Sequence, residues 1–321
     1  MMKAAVHFQY GPPEVIRLEE IPKPEPAPDE VLIRVHATTV NRTDCGFRSA
    51  EYIISRFFSG LLRPKNPVLG NEFAGIVESV GAAVTKFKAG DGVFGYNDIT
   101  FGAHAEYMIM KENGAMALLP SGYTFTEAAP LLEGSHYALV DIRAANVQAG
   151  QPVLVNGATG AIGSAAVQLL RHFGTEVTAV CATPHLALVK SLGAHEVIDY
   201  TQEDFTQRNK KYDFVFDAVG KRTFGQCKRI LKDKGIYIST ELGPGGQNPL
   251  LALITPLFGG KKLLFPIPSI TAEDVYFIRD LAEQGTFKPV IDRIYTLDQM
   301  VEAHRYVETR QKIGNVVITV V

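Results

Sequence analysis

The stretch Val153–Gly163, with the sequence VLVNGATGAIG, constrains the fold of this chain more than any other segment. Its three leading apolar residues favour a buried parallel strand. Glycines then recur at every third position, at Gly157, Gly160 and Gly163. In a strand–turn–helix unit, the first glycine permits a tight turn, the second lets backbone approach a pyrophosphate, and the third lets helix and strand pack closely. An ordinary glycine-rich turn is the alternative interpretation.

A helix is predicted directly after these glycines, because AIGSAAVQLLRHFG places its apolar residues at helical spacing. Gly174 ends that segment, where a C-terminal capping glycine is expected. Strand, glycine turn and helix in this order are the context that a dinucleotide site requires. We therefore predict that Thr159, Gly160, Ala161 and Ile162 contact a dinucleotide.

Composition and charge restrict the class of protein. A length of 321 residues favours two domains, and 46% hydrophobic residues are enough for a large core. A net charge of -2 without a long basic run argues against nucleic acid or a membrane surface as partner. The three distant cysteines favour a reducing compartment and lack the spacing of a metal site. Because we find no signal peptide and no stretch of roughly 20 apolar residues, we expect a soluble cytoplasmic protein.

The first third of the chain is rich in predicted strands, at Ala4–Phe8, Val15–Glu19 and Val31–Thr39. Short glycine-punctuated strands follow them, so residues 1–125 are predicted to form a mostly antiparallel β domain. The segment Ile53–Pro67 differs, since it is apolar with scattered arginines. It could be a short helix or a mobile flap, with a role in packing or in substrate gating.

From residue 126 onward, helical and strand patterns alternate, which predicts an α/β domain with a doubly wound parallel sheet of six strands. One of its helices is predicted at Pro184–Leu192, with Thr183 as N-cap. Two later helices, Ala272–Gln284 and Leu297–Thr309, precede the strand NVVITVV at the chain end. We expect this tail to return to the first domain.

Several motifs together resemble the medium-chain dehydrogenase/reductase superfamily, and most closely its zinc-free quinone oxidoreductase and alkenal/one reductase branch. The motifs are VNRTD, LGNEFAGIVESVG, KAGDGVFG, NGATGAIG and SLGAHEVIDY, and they occur in the family's order over nearly the whole chain. The resemblance implies a GroES-like catalytic domain at 1–125, a Rossmann NADP-binding domain at 126–267, and a return to the catalytic domain at 268–321. It also implies a cleft for cofactor and substrate, and a homodimer.

The zinc ligands of related alcohol dehydrogenases are replaced in this chain. Asn41 stands at the position of a cysteine ligand, and Asn71 at the position of a histidine ligand. The later cysteine, expected around Glu133–Ser135, is missing, and Glu72 alone remains. Since zinc prefers thiolate and imidazole ligands in tetrahedral array, we expect no metal.

The cofactor prediction is NADPH, because no Asp or Glu occurs from Val177 to His195. An acid at the end of the second strand would accept the ribose hydroxyls of NAD and repel the 2′-phosphate of NADP. The resemblance places His185 near a phosphate-binding lysine of relatives, and Tyr200 at a tyrosine beside that phosphate. A capping role for Thr183 and a packing role for Tyr200 stay open. The predicted contacts at this strand end are Cys181, Ala182, Thr183, His185 and Tyr200.

Further cofactor contacts follow from fold position and from the resemblance. Residues at the ends of strands four, five and six should surround the ribose and nicotinamide. Gly134 matches a threonine that often touches the cofactor in relatives. These further contacts are Asn41, Gly134, Ala218, Val219, Gly220, Leu242, Phe265, Ile267 and Asn315.

These observations predict a zinc-independent, NADPH-dependent reductase of quinones or α,β-unsaturated carbonyls. Tyr52 and Asn41 are the candidate catalytic residues. The resemblance places Tyr52 opposite the nicotinamide, and both side chains can donate a hydrogen bond to a developing oxyanion. The alternatives are an alcohol dehydrogenase-like enzyme acting on small carbonyls and a catalytically idle NADPH-binding regulatory protein.

Overall fold

The computed structural model describes residues 1–51 and 55–321 of the chain. These residues form two compact units. The first unit contains Met1–Glu133, Ile270–Gly285 and Pro289–Val321, and the second contains Gly134–Ser269 and Thr286–Lys288. The strands are β1 (Met2–Val6), β2 (Arg17–Ile21), β3 (Glu30–Val40), β4 (Glu72–Val80), β5 (Gly92–Tyr96), β6 (Tyr107–Lys111), β7 (Met116–Leu118), β8 (Pro152–Asn156), β9 (Glu176–Cys181), β10 (Glu196–Asp199), β11 (Tyr212–Asp217), β12 (Leu231–Ser239), β13 (Lys262–Leu264), β14 (Ile291–Thr296) and β15 (Asn315–Thr319).

The helices are mostly short and connect these strands. They are α1 (Arg42–Ser49), α2 (Ser55–Ser59), α3 (Phe125–Ala128), α4 (Glu133–Ala145), α5 (Ala161–His172), α6 (Leu186–Ser191), α7 (Phe224–Cys227), α8 (Gln247–Ile254), α9 (Ala272–Glu283) and α10 (Met300–Glu308). None of the helices in the described parts of the chain combines the length and the hydropathy that crossing a bilayer requires.

The first unit is built on a seven-stranded sheet with the order β14-β15-β3-β4-β5-β7, in which β6 also pairs with β3. Apart from β14 and β15, which run parallel, its neighbouring strands are antiparallel. The last strand, β15, pairs with β3, and Val316 lies opposite Val40. The chain end thus returns to the first unit, as the apolar strand NVVITVV indicated. A core of β-branched and aromatic side chains around Ile33, Phe73 and Val93 fills this unit.

The second unit holds a six-stranded sheet with the order β10-β9-β8-β11-β12-β13. All of its strand pairs are parallel, so the prediction of a doubly wound parallel sheet is confirmed. The central strand β8 is fully buried from Val153 to Val155, as its uninterrupted apolar sequence requires. The strand order reverses beside β8, and ligands of such sheets bind outside the carboxyl ends of the strands at this point.

Several predicted boundaries differ from the structure. Val15 lies in a 3-10 turn, Pro13–Val15, because the prolines before it hold the chain out of the sheet, and β2 begins at Arg17. The prediction of Thr183 as N-cap of a helix starting at Pro184 is wrong. Residues Thr183–His185 form a 3-10 turn whose N-cap is Ala182, and the α-helix begins at Leu186.

The domain limits and the segment Ile53–Pro67 are the remaining predictions about the fold. The predicted domain limits at 125 and 267 stay predictions, while the compact units change at Glu133 and Ser269. The structure describes the segment Ile53–Pro67 from residue 55 onward. The described part begins with the short helix α2. Tyr52 and Ile53 lie outside the described residues.

Candidate functional site

Three glycines shape the turn between β8 and α5. Gly157 has φ of +81°, a conformation that side chains rarely adopt, and a Cβ there would lie 2.3 Å from Val219 Cγ1. A Cβ on Gly163 would lie 2.1 Å from the Gly157 carbonyl oxygen. At Gly160 the nearest atom would be 3.8 Å away. The first and third glycines are therefore required for packing, whereas the second faces open space.

That open space lies at the N-terminus of α5, a helix of 12 residues. Gly160 is its N-cap and has no side chain to satisfy the first backbone N–H groups. These N–H groups and the helix dipole favour an anion, so the turn fits the pyrophosphate of a dinucleotide. Thr159, Ala161 and Ile162, the other predicted contacts, belong to the same turn, and Gly134 packs against the Ala161 carbonyl.

The other predicted cofactor residues of the second unit lie at the carboxyl ends of the strands of the parallel sheet. Each group lies at the carboxyl end of a different strand, so the topology brings the groups together although they are far apart in sequence. Cys181 is the last residue of β9, and Ala182, Thr183 and His185 follow it; after β10 comes Tyr200; after β11, Ala218, Val219 and Gly220; after β12, Leu242; and after β13, Phe265 and Ile267.

A carboxylate lies beside the end of β9, although the sequence from Val177 to His195 contains none. Asp199 ends β10 and pairs in register with Cys181. Its carboxylate accepts hydrogen bonds from the Thr183 hydroxyl and from the Thr201 backbone N–H, the latter at 2.9 Å. The bond from Thr183 is the main cause that holds the pKa of Asp199 below its usual value. This acid comes from the third strand of the sheet, so the residues that follow β9 in sequence do not reveal it.

A buried carboxylate holds the loop at the end of β11. Asp217 accepts hydrogen bonds from Asn156 Nδ2 at 3.0 Å, from the Val219 N–H at 3.2 Å and from the Arg222 N–H at 2.9 Å. It is fully buried, so these bonds are needed to offset its desolvation. Asp217 thereby fixes the loop Ala218–Gly220, a supporting role that the position of an acid at a strand end could have suggested.

The first unit contains a buried polar cluster made of Asn41, Asn71, Tyr96 and Glu133. Asn41 Nδ2 donates to Asn71 Oδ1 at 2.6 Å, and Asn71 Nδ2 donates to Glu133 Oε2 at 3.1 Å. The Tyr96 hydroxyl donates to the same carboxylate oxygen at 2.7 Å. All four side chains are at most 4% exposed. A connected hydrogen-bond network thus joins Asn41 and Asn71, at two expected ligand positions of zinc-dependent relatives, to Glu133, in the stretch around which the third ligand is expected.

Asn41 is also the N-cap of α1. Its Oδ1 accepts from the Asp44 N–H at 3.0 Å, while the Asp44 carboxylate accepts from the Asn41 N–H, which completes a capping box. This local role does not use the second N–H of the amide, since asparagine offers two. Asn315 begins β15 beside the Val316–Val40 pair and donates to the Val290 carbonyl at 2.9 Å.

Two buried carboxyls adjoin each other in this cluster. Glu72 accepts from the backbone N–H groups of Leu132 and Glu133 at 2.9 and 2.6 Å. Burial, and then the charge of Glu133, raise the pKa of Glu72. Burial also raises the pKa of Glu133, against hydrogen bonds from Tyr96 and from Thr43. Lys312 supplies a positive charge near both, and burial lowers its pKa while these carboxylates oppose that shift.

The donor set does not suit zinc. Amide side chains replace two ligands, and zinc binds thiolate, imidazole and carboxylate groups. In the ranges that the structure describes, no three His, Cys, Asp or Glu side chains meet in an arrangement that could hold a metal ion. The amide side chains at these positions are visible in the sequence, whereas the hydrogen bond between Asn71 and Glu133 is visible only in the structure.

Comparison with known proteins gives the family. Residues 27–121 match the family model for the alcohol dehydrogenase GroES-like domain, and residues 192–318 match the model for zinc-binding dehydrogenases. The chain is 33% identical to 2-methylene-furan-3-one reductase of Solanum lycopersicum, an alignment covering 99% of this chain and 79% of that protein. It is 31% identical, with the same coverage, to the chloroplastic NADPH-dependent alkenal/one oxidoreductase of Arabidopsis thaliana. The chain belongs to the medium-chain dehydrogenase/reductase superfamily.

A solved structure agrees with this assignment. The quinone oxidoreductase from Coxiella burnetii superposes with a TM-score of 0.89 at 27% identity, over 100% of this chain and 99% of that one. The predicted architecture of the superfamily, a GroES-like domain and a Rossmann-type sheet, is thereby confirmed. As a medium-chain dehydrogenase/reductase, the chain belongs with pyridine-nucleotide-dependent oxidoreductases.

Proposed function

We propose that this protein is an NADPH-dependent reductase of quinones or α,β-unsaturated carbonyls that works without zinc. The observation that carries the proposal is the open turn at Gly160, which joins an uncapped helix N-terminus to the carboxyl edge of a parallel sheet. The names of the relatives from Solanum and Arabidopsis support the substrate class. When bound, the reduced nicotinamide would supply a hydride to the substrate.

The preference for NADPH rests on the region after β9. Val177–His195 lacks an acid, and the relative from Arabidopsis is named as NADPH-dependent. His185 and Tyr200 would flank the 2′-phosphate. Asp199 opposes this preference, because its carboxylate engages the Thr183 hydroxyl that we expected to face the phosphate. We therefore propose a preference for NADPH that Asp199 keeps moderate.

Hydrogen-bond donors would stabilise negative charge on the substrate oxygen. We propose Asn41 as one donor, because one of its amide N–H groups is committed to Asn71 and the other has no role in capping α1. Tyr52 is proposed as a second donor from the resemblance of its segment. Preorganised donors of this kind are often the largest single contribution to such catalysis.

We further propose a cytoplasmic homodimer. Leu253, Leu257 and Phe258, on α8 and the turn after it, are 74, 81 and 79% exposed. They lie next to β13, the last strand of the six-stranded sheet. An exposed apolar patch beside a sheet edge is typical of a subunit interface. Light scattering of Leu257→Asp should report a monomer, whereas Ile99→Asp, at an exposed position of the first unit, should leave the mass unchanged.

The test of the proposed activity is NADPH consumption with a panel of quinones, enals, enones and simple aldehydes. We expect turnover with at least one conjugated acceptor and little with saturated aldehydes. Consumption only with saturated aldehydes would favour the alcohol dehydrogenase-like alternative. Binding of NADPH without turnover of any acceptor would favour the regulatory alternative.

A further inference from the structure

We infer that Glu133 is a positioning residue, which orients the Asn41 amide through Asn71. The inference rests on the proposed function, in which Asn41 donates to the substrate oxygen. Glu133 begins the stretch Glu133–Ser135, around which zinc-dependent relatives are expected to carry a cysteine ligand, so a carboxylate-anchored amide pair would occupy the place of a metal.

The Glu133 carboxylate determines which atoms donate and which accept in the hydrogen bonds that connect Glu133, Asn71 and Asn41. Both carboxylate oxygens of Glu133 accept hydrogen bonds, Oε2 from the Tyr96 hydroxyl and Oε1 from the Thr43 hydroxyl. Asn71 directs its NH2 group toward Oε2 as well, at 3.1 Å. Its carbonyl oxygen is then left for Asn41, whose Nδ2 donates to it at 2.6 Å. With Asn41 Oδ1 held by the Asp44 N–H, both ends of the Asn41 amide have a single orientation.

Glu133 is itself held firmly. The Tyr96 hydroxyl donates to Oε2 at 2.7 Å, and the Thr43 hydroxyl donates to Oε1 at 2.8 Å. Its own backbone N–H donates to the Glu72 carboxylate at 2.6 Å. The side chain is 4% exposed, so water does not compete for these bonds to any large extent.

The decisive variant is Glu133→Gln. Glutamine keeps the size of the side chain but presents an NH2 group that can face Asn71, and Asn71 can then turn its oxygen toward it. Asn41 would lose its acceptor, and its donating N–H would lose its orientation. We expect kcat for the best conjugated acceptor to fall by about 10- to 100-fold. This decrease is no larger than the one caused by removing an oxyanion donor altogether. The KM for NADPH should stay within about threefold, since most of the predicted dinucleotide contacts, beginning with the turn at Gly160, lie in the second unit.

Combination with a change at Asn41 separates positioning from general damage. Asn41→Ser keeps an oxygen to cap α1 but removes the amide donor. If Glu133 acts only through Asn41, Glu133→Gln in the Asn41→Ser background should cost no further kcat. Additive losses would overturn the inference, as would a normal kcat of Glu133→Gln alongside a reduced kcat of Asn41→Ser.

Further variants keep the test conclusive. Glu127→Gln makes the same substitution at a capping carboxylate on α3 and should leave kcat unchanged. Should Glu133→Gln fail to fold by circular dichroism, Asn71→Ala cuts the same connection and is expected to behave identically. If the unmodified protein reduces no conjugated acceptor, the proposed function fails. If it does so and Asn41→Ser has full activity, only the donor role and the inference built on it fail.

Discussion

Replacing Asp141 by asparagine should change how the stability of this protein depends on pH. Asp141 lies on α4 and is 6% exposed. In the described residues no group donates a hydrogen bond to its carboxylate, and burial alone raises its pKa from 3.8 to about 8. The folded protein therefore keeps this carboxyl protonated at neutral pH, whereas the unfolded chain ionises it.

The sign and size of the effect follow from proton linkage. Between the two pKa values the folded state binds one more proton than the unfolded state, so this group makes the free energy of unfolding fall as pH rises. Each pH unit in that range is worth about 1.4 kcal/mol, so the span from about pH 5 to 8 corresponds to about 4 kcal/mol. Asparagine is neutral throughout and removes this slope. Asp141→Asn should thus become more stable, relative to the unmodified protein, as pH rises.

Urea unfolding followed by far-UV circular dichroism can measure this difference, since the chain contains no tryptophan for fluorescence. Asp233→Asn, at an exposed position of the same unit, is the matched control and should follow the unmodified protein at every pH. A difference between Asp141→Asn and the unmodified protein that stays constant within about 0.5 kcal/mol from pH 5 to 8, well short of the linkage value, would refute the reasoning.

Four further predictions concern the cofactor and the catalytic groups. Gly163→Ala should lower the free energy of unfolding by about 1–3 kcal/mol because its Cβ meets backbone, whereas Gly160→Ala should retain stability but weaken NADPH binding, measured by titration. Asp199→Asn should raise the ratio of kcat/KM for NADPH over NADH by about tenfold, or about 1.4 kcal/mol, and an unchanged ratio would contradict its role. Elemental analysis should find no stoichiometric zinc, and activity should survive chelation; a tightly bound zinc in each chain would overturn the zinc-free proposal. Tyr52→Phe should lower turnover by about 10²-fold, and a loss within about threefold would remove Tyr52 as a donor.

Local sequence patterns were sufficient for the order of the elements and for the glycine turn. Gly163 and the turn at Gly157 could be assigned from spacing alone, because the positive φ of Gly157 and the contact of Gly163 with the Gly157 carbonyl both arise within a single strand–turn–helix unit. The parallel sheet followed in the same way, since each apolar run is separated from the next by a helical segment. Helix starts were less accurate. The Thr183 hydroxyl was expected to cap the next helix, and it bonds instead to a carboxylate 16 residues away.

The fold class, the glycine turn and the presence of Asn41 and Asn71 at two expected zinc-ligand positions could be read from the sequence. The position of Asp199 beside the end of β9 and the hydrogen bonds that link the two asparagines to Glu133 depend on the folded arrangement of the strands. The reason is physical. Periodicity reports which face of an element is buried, but the partner of a buried polar group depends on which strands become neighbours. Asn71 and Glu133 are 62 residues apart, and no local pattern couples them.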